Sequence, residues 1–207
     1  MARAPEPGLT KTRLIPALGA EGAALLSSAM TADAIGIAQR TGLPWRVCIH
    51  GRLDHPAFAG LPAVAQTGVD LGARLSAALT GGGVAIGTDC VLLTAQALRS
   101  AHAAVTSGAF DLLLGLAPDG GYTYVGASAR AVDAGVFEGI RWSSGETARD
   151  QLARAEALAL TSSTGDGTFD VDTSADLTRL RAALAASPPE VGAHTRAALH
   201  TLAKLRL

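Results

Sequence analysis

Short apolar segments alternate along the chain with longer segments whose apolar residues recur at helical spacing, and this alternation restricts the possible folds most. Residues 21–40 have apolar side chains at helical spacing and are followed by Gly42, a common end signal for a helix. The segment W-R-V-C-I-H at 45–50 is short and apolar, as expected of a buried strand. Because such strands and helices alternate, the sequence predicts an α/β fold with a mainly parallel sheet.

The alternation continues without an internal repeat or a low-complexity linker. Further strands are predicted at 63–66, 84–87, 111–116 and 122–125. Further helices are predicted at 70–79, 94–105, 145–160 and 174–186, with a last helix of about 15 residues after Pro188 and Pro189. We therefore expect one domain that spans residues 1–207.

The charges nearly cancel, since 17 basic and 18 acidic residues give a net charge of -1. This balance excludes a protein that relies on a global positive field to bind a nucleic acid polymer or an anionic membrane. The sequence also predicts no membrane span and no secretory signal, so we expect a cytoplasmic protein. Cys48 and Cys90 lack the spacing of metal ligands and are predicted to be free buried thiols.

The first candidate site is the loop A-R-A-P-E-P-G-L-T-K-T-R-L at 2–14. Its turn formers can expose backbone amides, and Lys11 and Arg13 add a point charge and a bidentate fork that suit a diphosphate. The loop is not a Walker A motif, because two residues separate Gly8 from Lys11. A solvated basic turn is the alternative interpretation.

Carboxylates follow the predicted strands. Asp89 in G-T-D-C either caps a helix or holds a cation, because an unpaired carboxylate at the end of an apolar strand is costly to bury. Asp119 in D-G-G-Y lies beside two glycines that leave room for a ligand, although a tight turn between strands has the same sequence.

Two more acids occur in F-D-V-D-T-S at 169–174. Asp170 and Asp172 alternate along an extended segment, so we expect at most one of them to point into a given site. A cap on the next helix, formed by Thr173 or Ser174 with Asp176 or Asp172 near its positive end, explains part of this run but not two acids before the cap.

Together, the cations suit a diphosphate and the carboxylates suit Mg²⁺ or Mn²⁺. No G-x-S-x-G motif is present in the sequence, which disfavours a serine hydrolase. Tyr122 and Trp142 could line a sugar or base pocket, or could be ordinary core aromatics.

These segments, in this order, resemble the bacterial DUF2064 family, also called transferase 1 (rSAM/selenodomain-associated), of the nucleotide-diphospho-sugar transferase superfamily. The resemblance implies a GT-A (Rossmann-like) fold, a three-layer α/β/α arrangement with a mainly parallel mixed sheet. The family is described as glycosyltransferase-like and is similar to molybdenum cofactor and 2-phospholactate guanylyltransferases. The motifs that carry the resemblance are the loop at 2–14, D-L-G-A-R-L at 70–75, I-G-T-D-C at 86–90, D-G-G-Y at 119–122, F-E-G-I-R-W at 137–142 and D-V-D-T-S-A-D-L at 170–177.

The resemblance also implies roles for individual residues. Asp89 would be the principal metal ligand and a catalytic residue, and Asp172 the second ligand. Asp119 is our own candidate for a general base, as the second predicted catalytic residue. The residues implied in nucleotide binding are Arg3, Pro7, Gly8, Lys11, Thr12, Arg13, Asp70 and Arg74. The residues implied on the acceptor or sugar side are Gly120, Gly121, Tyr122 and Trp142.

The sequence departs from the family pattern at three places. Val91 and Leu92 replace the usual Pro-Gly after Asp-Cys, and Ser143 and Ser144 replace Gly-Thr after the tryptophan. The family also has an apolar strand before the first loop, whereas this chain begins at the loop. We therefore expect that the first, central strand is missing, that Met1 is an internal methionine, and that about seven residues precede it. An in-frame stop codon directly upstream would contradict this expectation.

Three functions fit the motifs. The first is a metal-dependent transferase that uses a nucleotide-diphospho-sugar donor and a small-molecule acceptor. The second is a nucleotidyltransferase that joins a nucleoside triphosphate to a small phosphorylated substrate and releases pyrophosphate. The third is a non-catalytic nucleotide-binding relative. The absence of a D-x-D triplet at 87–89 favours the second, and the family description favours the first.

Overall fold

The computed structural model describes residues 1–204, and alternating strands and helices form there as the sequence pattern predicts. The strands are β1 (Ala2–Arg3), β2 (Val47–His50), β3 (Ala63–Ala65), β4 (Gly83–Ile86), β5 (Leu112–Leu116), β6 (Tyr122–Ala127) and β7 (Ser162–Asp166). The helices are α1 (Ile15–Arg40), α2 (Leu71–Ala78), α3 (Ala95–Thr106), α4 (Ala129–Asp133), α5 (Thr147–Ala157), α6 (Ser174–Ala185) and α7 (Ala193–Lys204).

The strands form two sheets. In the first, β1, β2 and β3 are neighbours in that order and all pair in parallel. In the second, the order is β4-β6-β5-β7, with β6 antiparallel to both of its neighbours and β7 parallel to β5. The structure is therefore of the predicted mixed α/β class.

The chain forms two compact units. The first unit comprises Met1–Ala65, Thr88–Leu92 and the described residues from Asp170 onward. The second comprises Gln66–Gly87 and Leu93–Phe169. The expectation of a single domain over residues 1–207 stays a prediction.

The first unit packs around β2, whose Val47 and Ile49 are buried with Ala2 and Phe58. The pairing of β1 with β2 places Ala2 opposite Ile49 and Arg3 opposite His50. The structure thus differs in a detail from the sequence prediction, which placed both residues of β1 in the loop. The apolar character of Ala2 and its burial explain why the strand includes it.

Helix α1 packs against α7 in the same unit. Gly22 allows the two helices to approach closely, since a Cβ there would lie 2.9 Å from Leu202 Cδ2. The segment Thr12–Arg40 is long and apolar enough to span a membrane by length and composition alone, but 44% of its most apolar part is buried in the protein. A core helix satisfies the same criterion, so this segment is weak evidence for a membrane span.

The second unit has its core on β5 and β6, where Leu112, Leu114 and Val125 are buried. Asp111, immediately before β5, is buried and accepts hydrogen bonds from Ser128 Oγ, Arg130 and Thr161. Burial alone would raise the pKa of Asp111, but the hydrogen bonds from Thr161 and Ser128 and the charge of Arg130 lower it.

Most predicted elements form close to their expected positions, but some details differ. Helix α1 begins at Ile15 instead of residue 21. The sequence prediction missed α4, which has five residues, and β7, which has the polar sequence S-S-T-G-D. Helix α5 begins at Thr147 instead of residue 145. Helix α7 has 12 described residues, and the end of the predicted helix of about 15 residues lies outside the described residues. Cys48 and Cys90 are buried thiols that are not joined in a disulfide, as predicted.

Candidate functional site

The side chain of Lys11 lies between two carboxylates in the first unit. Its Nζ donates hydrogen bonds to Asp89 Oδ2 and Asp172 Oδ1, both at 2.7 Å. These residues are 78 and 161 positions from Lys11 in the sequence, so the fold of the first unit brings them together. Only 11% of the Lys11 side chain is exposed, against 27% for Asp89 and 39% for Asp172.

The backbone at Lys11 adopts a left-handed conformation, with φ 45° and ψ 45°, directly before a short 3-10 helical turn at Thr12–Leu14. A residue with a Cβ pays a steric cost for this conformation of about 1–2 kcal/mol. Such outliers persist where the surrounding structure determines them, and they concentrate at functional sites. The two ion pairs of the ammonium, and a hydrogen bond from Leu14 N–H to the Lys11 carbonyl at 2.8 Å, contribute to holding Lys11 here.

Asp172 is available to Lys11 because another acid caps the following helix. Thr173 and Asp176 form a capping box at the start of α6, in which each side chain accepts from a backbone N–H at the other position. The sequence analysis left open whether Asp172 or Asp176 serves this helix end. The structure assigns the capping box to Asp176, whose carboxylate also accepts from the backbone N–H of Asp172.

Asp170 joins the candidate site, although only Asp89 and Asp172 were predicted as metal ligands. One carboxylate oxygen from each of Asp89, Asp170 and Asp172 lies within 4.8 Å of the other two. The prediction that Asp170 and Asp172 face opposite sides is therefore wrong. It assumed an extended strand, whereas residues 167–172 form no regular element, so strict alternation does not apply. The presence of two acids before the helix cap was the signal in the sequence.

The charges of the site stabilise one another. Burial alone would lower the pKa of the Lys11 ammonium, but the charges of Asp89 and Asp172 and the hydrogen bonds to them raise it above its usual value. Burial alone would raise the pKa of Asp89, but the charge and the hydrogen bond of Lys11 lower it. Lys11 and Asp89 are therefore both charged at neutral pH.

Cys90 lies next to this charged cluster. Its thiol contacts Asp89 Oδ1 at 3.6 Å. Burial, together with the negative charge of Asp89, raises the pKa of the Cys90 thiol well above its usual value. Cys90 is thus a protonated, weakly donating neighbour of Asp89 rather than a thiolate ligand.

The three acids could hold a divalent cation. Carboxylate oxygens are hard ligands, of the type that Mg²⁺ and Mn²⁺ prefer. The Lys11 ammonium already shows that this cluster accommodates a positive charge, because its nitrogen lies at hydrogen-bonding distance from two of the three carboxylates. The cluster formed by Asp89, Asp170 and Asp172 therefore fits a divalent metal ion, because its ligand atoms are carboxylate oxygens and because a cation, the Lys11 ammonium, already lies against it.

The other predicted nucleotide-binding residues of the first loop lie at the surface. Arg13 is 73% exposed at its side chain, and its Nη1 is 3.9 Å from Asp172 Oδ2, which is a long ion pair. Gly8 has φ 79° and is exposed. The other predicted nucleotide-binding residues of this loop that are exposed are Arg3, Pro7 and Thr12.

The remaining predicted nucleotide-binding residues belong to the second unit, where each has a local structural contact. Asp70 is the N-cap of α2 and accepts from the backbone N–H of Ala73 at 2.8 Å. Arg74 Nε donates to the carbonyl of Gly68 at 3.1 Å. These contacts explain why both residues are suited to the start of α2, and their roles in nucleotide binding stay predictions.

The predicted acceptor-side residues also belong to the second unit. Asp119 and Gly120 form the turn between the antiparallel strands β5 and β6, in which Asp119 Oδ1 accepts from Gly121 N at 3.0 Å. Gly120 has φ 86° and lies so close to Gly145 that a Cβ would overlap with its carbonyl group. The tight turn that the sequence analysis kept as an alternative is therefore present at these residues.

The two aromatic residues have contacts within the second unit as well. The Tyr122 hydroxyl donates to Gln151 Oε1 at 3.3 Å, and burial raises the pKa of Tyr122. Trp142 lies against the start of α2, because a Cβ at Gly72 would be 3.3 Å from Trp142 Cζ2. Both side chains thus contribute to packing, and contact with a substrate stays a prediction.

Comparisons with known proteins agree with this architecture. A family model described as "Uncharacterized protein conserved in bacteria (DUF2064)" matches residues 34–144. The curated proteins give no match. A crystal structure from Desulfovibrio desulfuricans G20, of a protein provisionally described as a nucleotide-diphospho-sugar transferase, is similar with 26% sequence identity and a TM-score of 0.83. The similarity covers 98% of this chain and 94% of that chain, and it confirms the predicted fold class.

Proposed function

The chain belongs to the DUF2064 family, and we propose that it is a metal-dependent transferase that uses a nucleotide-diphospho-sugar donor and a small-molecule acceptor. The similarity to a protein provisionally described as a nucleotide-diphospho-sugar transferase supports the transferase class. The single observation that carries the proposal is the position of the Lys11 ammonium between Asp89 and Asp172. Lys11 belongs to the loop at 2–14, which is rich in cations and turn formers.

Each part of this site has a task in the proposed reaction. Asp89 and Asp172, joined by Asp170, would hold Mg²⁺ or Mn²⁺ through their carboxylate oxygens. When bound, such an ion supplies positive charge that stabilises the departing diphosphate. Lys11 and Arg13 contribute further positive charge to the phosphate oxygens, and the loop at 2–14 contributes backbone amides.

The proposed reaction breaks the bond between the anomeric carbon and the diphosphate oxygen of the donor. An acceptor hydroxyl forms the new bond to the anomeric carbon and gives up its proton to a base. The electrons of the broken bond stay on the nucleoside diphosphate, which leaves. We keep Asp119 as the proposed base, because it is an exposed carboxylate in the D-G-G-Y turn.

A nucleotidyltransferase is the second candidate. The segment Gly87-Thr88-Asp89 contains one carboxylate rather than a D-x-D triplet, and this observation favours it. In that reaction a substrate phosphate attacks the α-phosphorus of a nucleoside triphosphate, and pyrophosphate leaves. The two candidates share the metal and the loop, and they differ in the bond that is broken.

The substitution Asp89→Asn tests the site directly. At a donor concentration of 100 times its Kd, binding stabilises the parent protein by about 2.7 kcal/mol. We expect Asp89→Asn to lose the Mn²⁺-dependent part of this stabilisation, because an amide is a weaker metal ligand than a carboxylate. The measurement is thermal unfolding with a panel of nucleotide sugars, with and without Mn²⁺, after circular dichroism has verified the fold.

The matched control is Asp54→Asn, a surface acid of the first unit whose side chain is 84% exposed. This control should keep the full Mn²⁺-dependent stabilisation. Equal stabilisation of Asp89→Asn and the parent by every donor that binds would mean that Asp89 has only a structural role.

A further inference from the structure

We propose that Lys11 is a built-in competitor of the divalent cation: its ammonium and the metal ion use the same carboxylate oxygens, so metal binding must displace Lys11 toward the diphosphate. This inference rests on the proposed metal-dependent function and adds to it a coupling between two ligands. Its consequence is that metal and diphosphate bind cooperatively, and that the metal alone binds weakly.

The first step is the shared position. Lys11 Nζ lies 2.7 Å from Asp89 Oδ2 and 2.7 Å from Asp172 Oδ1. A Mg²⁺ ion requires oxygen ligands at about 2.0–2.1 Å in near-octahedral geometry. A metal ion bound by Asp89 and Asp172 would therefore lie next to the ammonium, and two cations that share the same oxygens repel each other strongly at such distances.

The second step is the mobility of the competitor. A lysine side chain has a flexible four-carbon stem and a point charge without fixed directionality, so it can exchange one anionic partner for another. The left-handed backbone of Lys11, with φ 45°, is an additional cost that its present ion pairs offset. The neighbouring backbone positions belong to a loop and a short helical turn rather than to a strand.

The third step is the destination. A diphosphate brings oxygen atoms of the same hardness and a higher charge than one carboxylate, so it can accept the displaced ammonium. Arg13 is already at the edge of the cluster, 3.9 Å from Asp172 Oδ2, and is 73% exposed. The two cations of the loop would then both face the diphosphate while the acids hold the metal.

Lys11 and Lys204 are the only lysines of the chain, so an effect of lysine substitution can be assigned to one residue. Lys204 is exposed at the end of α7 and serves as the matched control. Binding of Mn²⁺ to the full chain is measured by the loss of the free Mn²⁺ resonance in electron paramagnetic resonance. The proteins compared are the parent, Lys11→Met and Lys204→Met, each with and without inorganic pyrophosphate as the diphosphate probe.

Lys11→Met should bind Mn²⁺ alone more tightly than the parent, by about 5- to 150-fold, which is the usual range of coupling between two ligands. Pyrophosphate should increase Mn²⁺ affinity more in the parent than in Lys11→Met, because only the parent has an ammonium to displace. Lys204→Met should behave like the parent. An Mn²⁺ affinity of Lys11→Met equal to or below that of the parent would overturn the inference.

A second measurement uses the parent protein and does not depend on the folding of Lys11→Met. With lysine labelled by ¹³C and ¹⁵N, the chain gives side-chain NMR signals from two residues only. Saturation with diamagnetic Mg²⁺ should shift the Lys11 signals and leave those of Lys204 unchanged. Unchanged Lys11 signals at saturating Mg²⁺ would refute displacement while leaving the proposed function intact. If no divalent ion binds in any arm, the proposed metal-dependent function fails together with this inference.

Discussion

Three residues other than glycine have a left-handed backbone within residues 1–204, namely Lys11, Ser143 and Ala159. At Lys11 the cost coincides with two ion pairs of a part-buried ammonium, which supports a functional reason for the conformation. At Ser143, with φ 57°, the sequence has a serine where the family usually has glycine. The departure from the family pattern is therefore a position where the backbone itself favours glycine.

The substitution Ser143→Gly should stabilise the protein by about 0.5–1 kcal/mol. It removes the steric cost of the left-handed conformation, which exceeds the entropy that glycine adds to the unfolded chain. Urea unfolding measures the difference. Ser107→Gly is the control, because Ser107 is an exposed serine with φ -78° and should lose stability. A loss of stability in Ser143→Gly would contradict the steric argument.

The residues of the site could be predicted to different extents. Lys11, Asp89 and Asp172 were candidates because they lie in the first loop or just after predicted strands, and the family resemblance implied their roles. Asp170 was not assigned as a ligand because regular alternation was assumed along the segment from Asp170 to Asp172, where the backbone is irregular. The direct contact of Lys11 with Asp89 and Asp172 joins residues that are 78 and 161 positions apart in the sequence. A local sequence pattern cannot predict a contact between residues so far apart.

At the scale of elements, the starts of α2, α3 and α6 were predictable because the N-cap is a local signal. Asp70 caps α2, Thr94 caps α3 and Thr173 caps α6 through their side chains, each within three residues of its partner. Strand β7 was missed because its five polar residues lack an apolar pattern, and it pairs in parallel with the buried β5. Its formation thus depends on a neighbour that is distant in the sequence.

The start of α7 depends on another helix. Asp33 of α1 is buried and accepts from the backbone N–H groups of His194 and Thr195, at 3.1 and 2.8 Å. These donors belong to the first turn of α7, where no intrahelical acceptor exists. The carboxylate therefore joins the two helices in addition to the apolar contact at Gly22.

The substitution Asp33→Ala should destabilise the protein by about 2 kcal/mol, because it leaves buried backbone donors without their acceptor. Thr94→Ala removes an exposed local cap on α3 and should cost about 1 kcal/mol. Chemical denaturation of both variants measures the two values. A cost of Asp33→Ala that is no greater than that of Thr94→Ala would show that water replaces the carboxylate at α7.

At the scale of the whole molecule, the fold class followed from the alternation of strands and helices, and the similarity to a solved structure over 98% of the chain confirms it. The division into two compact units was not predicted, because each unit combines segments that are separated in the sequence. The candidate cation cluster lies within the first unit, which draws on three such segments. The acceptor-side residues belong to the second unit, and their roles depend on substrates that no sequence pattern specifies.

The most direct test of the central proposal is a donor panel with the parent protein and Mn²⁺. Nucleotide sugars and nucleoside triphosphates are incubated with candidate acceptors, and the released nucleoside diphosphate and pyrophosphate are quantified separately. A sugar transferase should release nucleoside diphosphate from at least one nucleotide sugar, and chelation of the metal should abolish this release. Release of pyrophosphate from a nucleoside triphosphate, without any nucleoside diphosphate from a nucleotide sugar, would contradict the proposal and establish the nucleotidyltransferase instead.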